Sequence, residues 1–406
     1  MINLETPKKF RRLVEQAHQV ATELFRPNSR RYDRAEHVYP KELDMLGALL
    51  DGMNAGGGGG GAGAAGVRRN GGEDEGNRNG SNLATVLGTM ELCWGDVGFL
   101  LTMPRQGLGN SAIASVATDE QLERFKGKWA AMAITEPHCG SDSAAIRTTA
   151  RLDGDHYVLN GEKIYVTAGE RAELVVVWAT LDRNAGRAAI KPFVVEKGTP
   201  GFELVRLEHK LGIRASDTAA FVLKDVRVPR ENLLGDPAIN VDKGFAGVMQ
   251  TFDNTRPLVA AMAVGLARAC LEETRKLIEQ AGIELDDDAP AYAQHAAASE
   301  YRRLEADYEA ARLLTLQAAW MADNRKPNSL QASMAKAKAG RSCVEVALKC
   351  VELAGTLGYA EGEHGAGLLE KWARDAKILD IFEGTQQIQQ LIIARRLLGK
   401  TSAELK

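Results

Sequence analysis

Apolar positions along the chain change their period twice. Up to about residue 130 they recur at helical spacing with one interruption. From 131 to 240 they fall in short runs rich in β-branched and aromatic residues, "HYVLNGEKIYVTAG", "AELVVVWATL", "KPFVVEKG" and "TAAFVLKDVRVP", punctuated by Gly, Asn and Asp turns. From 241 to 406 the helical period returns. Leu304, Tyr308, Ala311, Thr315 and Ala318 form one stripe. Ser329 is placed to cap a helix carrying Ala337, Val344, Ala347 and Val351, which ends near Gly355. Pro257 sits near a helix start, and Gly282 follows that helix's end. The last helix carries Ile388, Leu391 and Ile392, with Arg395 and Arg396 late and Gly399 after them. The pattern predicts an α+β chain in three parts: an N-terminal α-helical domain (1–130), a middle antiparallel β domain (131–240), as a small barrel or sandwich, and a C-terminal four-helix bundle (241–406).

The interruption is glycine-rich: residues 51–80 contain 13 glycines. "GGGGGG" satisfies a GxGxxG search trivially, but a phosphate cradle follows a strand and opens a helix, and this stretch does neither. It is expected to be a flexible surface loop over about 52–82.

The formal net charge of −3, with both signs well mixed, argues against nucleic acid or an anionic membrane surface as partner. No apolar run is long enough to span a membrane, and the N-terminus lacks a signal peptide's apolar core, so a cytoplasmic protein is expected. The five cysteines form no CxxC pair and read as reduced core thiols. The seven histidines show no metal-ligand spacing, so no metal is expected.

Four stretches could carry chemistry. "ITEPHCGSDSAAIRTTA" (134–150) is dense in hydroxyls and backbone donors, and suits either an ordinary polar turn or a loop that holds a phosphate. Its Ser141, His138 and Asp142 are too close in sequence to read as a hydrolase triad. In "NGEKIYVTAGE", Tyr165 and Thr167 lie two apart on one strand face. That is either a cross-strand pair or an aromatic and a hydroxyl offered to a flat heterocycle. "TFDNTRPLVA" sets Asp253, Thr255 and Arg256 at a helix start. "DIFEGTQQIQQ" puts one carboxylate, Glu383, between Phe382 and Gly384 at the mouth of a helix.

At these residues the sequence resembles the acyl-CoA dehydrogenase family, nearest in pattern to its medium- and short-chain members. From about residue 85 onward it carries "TEPxxGSD", "NGxKxYxT", "LGxRxSDT", "FDNTRP" and "RDAKIxxIxEGTxQIQ" in the family's order and spacing. The resemblance implies FAD lying between β domain and bundle, and an acyl-CoA thioester converted to the trans-2-enoyl-CoA. A carboxylate takes the α-proton while the β-hydrogen leaves as hydride to flavin N5, and electrons pass to an electron-transfer flavoprotein. It implies Glu383 as the base. It implies Ile134, Thr135, Gly140, Ser141, Tyr165, Thr167, Thr385 and Gln387 as FAD contacts, and Ser141, Phe252, Asp253, Arg256 and Gly384 as substrate contacts. Tyr165 stands where tryptophan is commoner. Some members carry the base on the earlier helix, where this chain has Thr255, which cannot serve. The stretch from Leu92 to Leu108 is expected to line the acyl pocket.

The pattern breaks where the family lends residues to a neighbouring subunit's FAD. In place of the arginine of "RxxFG" stand Glu284, Asp286, Asp287 and Asp288; in place of "QxxGGxG" stands "ELAGTLG", with Glu352 and Ala354. Acids beside a pyrophosphate are electrostatically unfavourable. The implied assembly is therefore either a homo-oligomer (dimer or tetramer) with substituted contacts, or a heteromer with a second family subunit. An acyl-CoA oxidase using O2, or a non-catalytic subunit, are the competing functions.

Overall fold

A computed structural model describes residues 6–47, 79–104, 108–239, 246–360, 367–401 and 404; within 246–254 it describes the backbone alone. The glycine-rich stretch lies outside the described residues up to 78. From Ser81 the chain is already helical.

Helices α1 (Arg11–Val20) and α2 (Arg26–Arg34), joined through a π-turn at Ala21–Phe25, lead to α3 (Ser81–Gly95), α4 (Val97–Thr102), α5 (Leu108–Val116) and α6 (Asp119–Arg124). A seven-stranded sheet follows: β1 (Ala130–Ala133), β2 (Thr149–Asp153), β3 (His156–Thr167), β4 (Leu174–Thr180), β5 (Ile190–Glu196), β6 (Phe202–Leu207) and β7 (Thr218–Pro229). Its path is β1-β4-β2-β3-β7-β6, with β5 on β4. The β2–β3, β3–β7, β6–β7 and β4–β5 pairs are antiparallel as expected, but β1 and β2 run parallel to β4, so the sheet is mixed. Every residue of β4 is buried. Val175, Val177 and Ala179 face one apolar cluster, and Leu174, Val176 and Trp178 face another. Burial of both faces is why "LVVVWAT" reads as a continuous apolar run and does not alternate.

The chain closes with α7 (Ala246–Gln280), α8 (Ala296–Asp323), α9 (Ser329–Ala354), α10 (Thr356–Tyr359), α11 (Leu369–Leu379) and α12 (Gln386–Leu398). Helix α7 packs on α3, α8 and α9, and α11 and α12 pack on α9. The predicted stripe on α8 is core: Leu304, Ala311, Thr315 and Ala318 are buried. Pro257 departs from expectation. It lies inside α7, eleven residues past its first residue, and the long helix tolerates the one backbone hydrogen bond that proline cannot donate. Asn328, one residue before Ser329, holds the N-cap position of α9.

A buried ionic node sets the bundle against the sheet. The Lys371 ammonium lies 2.7 Å from Asp96 and also pairs with Asp375, whose other oxygen accepts from the Ile213 backbone N–H at 2.6 Å. Asp96 itself caps α4 through the Phe99 N–H. A charged group in such a place persists because each of its partners is satisfied. The node fixes α11, and with it the turn that follows, against the loop before β7.

Candidate active site

Between the sheet and the bundle runs a cavity of about 740 Å3. Its walls bring together ten of the residues singled out from the sequence: Ile134, Thr135, Gly140, Ser141, Tyr165, Thr167, Arg256, Glu383, Gly384 and Thr385. Gln387 is exposed on the first turn of α12 and is not among the lining residues. Phe252 and Asp253 lie on α7, and their side chains fall outside the described residues. Leu100, Leu101 and Leu108, from the stretch expected to line an apolar pocket, do so together with Leu258, Val259 and Met262 of α7.

The sheet side is shaped by one buried ion pair. Glu136 accepts from the backbone N–H groups of Arg147 and Thr148 at 2.6 and 2.9 Å and from the Thr148 hydroxyl at 2.6 Å. The fully buried Lys163 ammonium sits 2.8 Å from the same carboxylate and 3.0 Å from the Ile134 carbonyl. These bonds hold Glu136 below the usual carboxylate range against the opposing effect of burial. They also tie the 134–148 turn to β3, so that Thr135, Gly140 and Ser141 face the cavity.

Tyr165 reaches the cavity by a route the alternating pattern did not contain. The β3–β7 register shifts between Lys163 and Val166, and Tyr165 takes φ of +57°. Positive φ is costly for a bulky side chain, and a bulge re-aims it. The ring stands 62% exposed on the cavity wall.

On the bundle side, Glu383 and Gly384 both lie in the left-handed region, at φ of +58° and +89°. This turn joins α11 to α12, whose N-cap Thr385 accepts from the Ile388 N–H. Three donors fix the turn. The Thr255 hydroxyl donates to Glu383 Oε2 at 2.9 Å; the buried Gln389 amide donates to the carbonyls of Glu383 and Gly384 at 3.1 and 3.2 Å; the fully buried Lys336 ammonium donates to the Gly384 carbonyl at 2.7 Å. The φ of +89° at Gly384 strains any side chain there, and a Cβ would also come within 2.5 Å of the Gln389 amide nitrogen, which would have to move. Glu383 as a residue is partly exposed, towards the cavity. Desolvation of its carboxyl nevertheless raises its pKa, opposed by the Thr255 bond and by the positive charges of Arg256 and Lys336. A carboxylate hydrogen-bonded on one oxygen, with a raised pKa and apolar neighbours, is equipped to take a proton from a weak acid.

Two cavity-lining cations, Arg395 and Arg187, and a lysine behind the turn, Lys336, were not among the cofactor or substrate contacts expected from the sequence. Lys336 interrupts a stripe of small residues, Ala332, Ala339 and Cys343, on the buried face of α9, and that lone charge was the available signal. Arg395 follows Ile388 and Ile392 on one face of α12 and lines the cavity, as does Arg187 from the turn before β5. The apolar stripe of α12 is accordingly cavity wall more than core: Ile388, Leu391 and Ile392 all line it.

Away from the cavity, Glu36, His37 and His209 bring one ligand-type atom each within 4.8 Å of one another, a clustering that histidine spacing did not reveal. The Arg214 guanidinium, 3.9 Å from Glu36, and the neighbouring Lys210 make these surroundings unfavourable for a divalent cation.

Comparison with known proteins supplies the kinship. The model of the acyl-CoA dehydrogenase middle domain matches residues 131–226, and that of the acyl-CoA dehydrogenase C-terminal domain matches 242–398. The short-chain specific acyl-CoA dehydrogenase of Clostridium acetobutylicum is 35% identical over 80% of this chain and 85% of its own length. The caffeyl-CoA reductase-Etf complex subunit CarC of Acetobacterium woodii is 34% identical over 74% of this chain and 78% of its own. The solved structure of butyryl-CoA dehydrogenase from Megasphaera elsdenii superposes on 98% of this chain and 100% of its own, with a TM-score of 0.81 at 29% identity.

Proposed function

Since the chain belongs to the acyl-CoA dehydrogenase family of oxidoreductases, we propose that it oxidises an acyl-CoA thioester to the trans-2-enoyl-CoA, with Glu383 as the base that removes the α-proton. The observation that carries this reading is the Glu383 carboxyl: it lines the cavity, bonds to Thr255 and has a raised pKa. The α-proton of a thioester is a weak acid, and desolvation brings the carboxylate's basicity nearer to it. Thr255 fixes one oxygen and leaves the other for the proton. The backbone N–H of Glu383 is the donor we assign to the thioester oxygen, where negative charge develops as the proton leaves. Leu258, Val259, Met262 and Leu100 supply apolar surface for the acyl chain and exclude water.

The cavity suits FAD as cofactor. The exposed Tyr165 ring offers a flat face. Thr135, Ser141, Thr167 and Thr385 offer hydroxyls, and the N-terminus of α12 favours an anion. The Arg395 Nε is buried without an acceptor among the described residues, an orphan that a phosphate of the CoA portion would satisfy. Ile134, Thr135, Gly140, Ser141, Tyr165, Thr167 and Thr385 would hold the flavin; Gln387 would contribute only from outside the cavity. When bound, FAD supplies the acceptor for the β-hydrogen as hydride. Arg256, Arg395 and Arg187 are assigned to the phosphates of the CoA portion, with Ser141 and Gly384 flanking the thioester and Phe252 and Asp253 near the CoA portion.

Electron-transfer flavoprotein is the proposed acceptor, favoured over O2 by kinship with a subunit of an Etf complex. The acids of the loop after α7 are exposed, and Asp287 is paired with Arg302 within the chain. A partner subunit, whether a second copy or a family relative, remains part of the proposal. Among the described residues no helix is long and apolar enough to cross a membrane. The test is anaerobic incubation of the flavin-loaded protein with acyl-CoAs from butyryl to palmitoyl and a one-electron dye. A product lighter by two hydrogens is expected for at least one chain length. None at any length would overturn the proposal, and stoichiometric H2O2 in air would move it to an oxidase.

A further inference from the structure

Lys336 has no place in the proton transfer just described, yet it is the only fully buried ammonium described against that turn. It sits mid-helix on α9, and its Nζ donates to the Gly384 carbonyl at 2.7 Å. The close approach has a cause one turn along the same helix. A Cβ at Gly340 would come within 2.6 Å of the Leu379 carbonyl, so this glycine lets α9 close onto the end of α11. Without that approach, Lys336 could not reach the turn.

Burying an ammonium is expensive unless its partners repay the cost. Here one partner is a neutral carbonyl, and the charge is compensated only through space, by Asp380 and Glu383, while Arg256 on α7 opposes it. Asp380 is itself shared with Arg341 of α9 at 4.0 Å and Lys377 of α11 at 3.6 Å. The amine is accordingly pushed down to about 8, chiefly by burial. A neutral donor could have held Gly384 at less cost, so a charge at this place points to a second task.

We propose that Lys336 is a positioning residue for Glu383, with its donor bond holding the left-handed turn and its positive charge keeping the base ionised. This rests on the assignment of Glu383 as base. The two tasks separate experimentally. Lys336→Gln keeps a donor but not the charge; Lys336→Met keeps neither; Lys336→Arg keeps both.

The measurement is titration of the Glu383 carboxyl by its infrared band, taken as the difference from Glu383→Gln, alongside the pH profile of kcat/KM. The infrared titration needs no turnover, so it reads the coupling even if the proposed reaction is wrong. Loss of a charge at this range is expected to raise the Glu383 titration by about one pH unit in both Lys336→Gln and Lys336→Met, and to leave it in place in Lys336→Arg. The turn itself is read by kcat at a pH where Glu383 is ionised. It should fall roughly ten-fold in Lys336→Met and little in Lys336→Gln, with KM for the acyl-CoA nearly unchanged. A purely structural lysine would lower thermal stability and the active fraction without moving the titration. An unmoved Glu383 titration in whichever neutral variant folds would overturn the proposal. Should neither fold, Lys336→Arg carries the test, and a shifted titration there would overturn it.

Discussion

The Thr255 hydroxyl donates to Glu383 Oε2 at 2.9 Å, joining α7 to the turn between α11 and α12. Two segments 128 residues apart in sequence are thereby locked at one carboxyl. The bond favours the ionised form and opposes desolvation, which favours the neutral one. Thr255→Val keeps the shape and removes the donor. It is expected to raise the Glu383 pKa and to lower kcat roughly ten-fold, the usual worth of a hydrogen bond to a charged group. Steady-state kinetics across pH would check both.

The raised pKa of Glu383 fixes the direction of the pH dependence. Only the carboxylate can accept the α-proton. The kcat/KM should therefore fall as pH drops through a value above the ordinary carboxylate range, on the free enzyme's titration. Stability runs the other way for this one group. The folded chain holds the proton more tightly than the unfolded chain, so its contribution diminishes as pH rises from the unfolded pKa through the folded one. An acid limb at an ordinary carboxylate value would count against Glu383 as the base.

Arg395 lines the cavity with its Nε buried. If it meets a phosphate of the CoA portion, Arg395→Ala should raise KM for acyl-CoA roughly ten-fold or more and leave kcat near wild type. The KM for an acyl-pantetheine without those phosphates should not change. An equal loss with both substrates would place Arg395 elsewhere.

The Glu136–Lys163 pair is buried at both ends. Glu136→Ala strands the Lys163 ammonium and removes the acceptor of three donors at the 147–148 turn. A loss of about 3–5 kcal/mol in denaturant unfolding is expected, with weaker flavin retention if Thr135 and Ser141, on the 134–148 turn that Glu136 anchors, hold the cofactor as proposed. Lys163→Met should be milder, since a carboxyl can keep a proton and the hydroxyl and amide donors remain.

What could be read from the sequence followed from period and composition. The long runs of β3, β4, β5 and β7 and the stripe of α8 announce themselves because burial repeats along them. Strand β1, "AAMA", has no β-branched residue, and its strand character comes from pairing in register with Leu174, Val175, Val176 and Val177 of β4. Pro257 misled because a long helix tolerates it once its neighbours pack. Tyr165 was found, but for an incomplete reason: period two assumes a regular strand, and the bulge breaks it. Glu383 was legible from its motif, whereas Lys336, which holds the next residue, was not. Its role depends on how closely α9 approaches α11, a distance no local pattern encodes.

The most direct measurement is the anaerobic visible spectrum of the flavin-loaded protein on mixing with an acyl-CoA, for wild type beside Glu383→Gln. The account predicts that the wild-type flavin band bleaches within the turnover time, while Glu383→Gln binds the same ligand and bleaches at least roughly a thousand-fold more slowly. Bleaching of Glu383→Gln at the wild-type rate would contradict it.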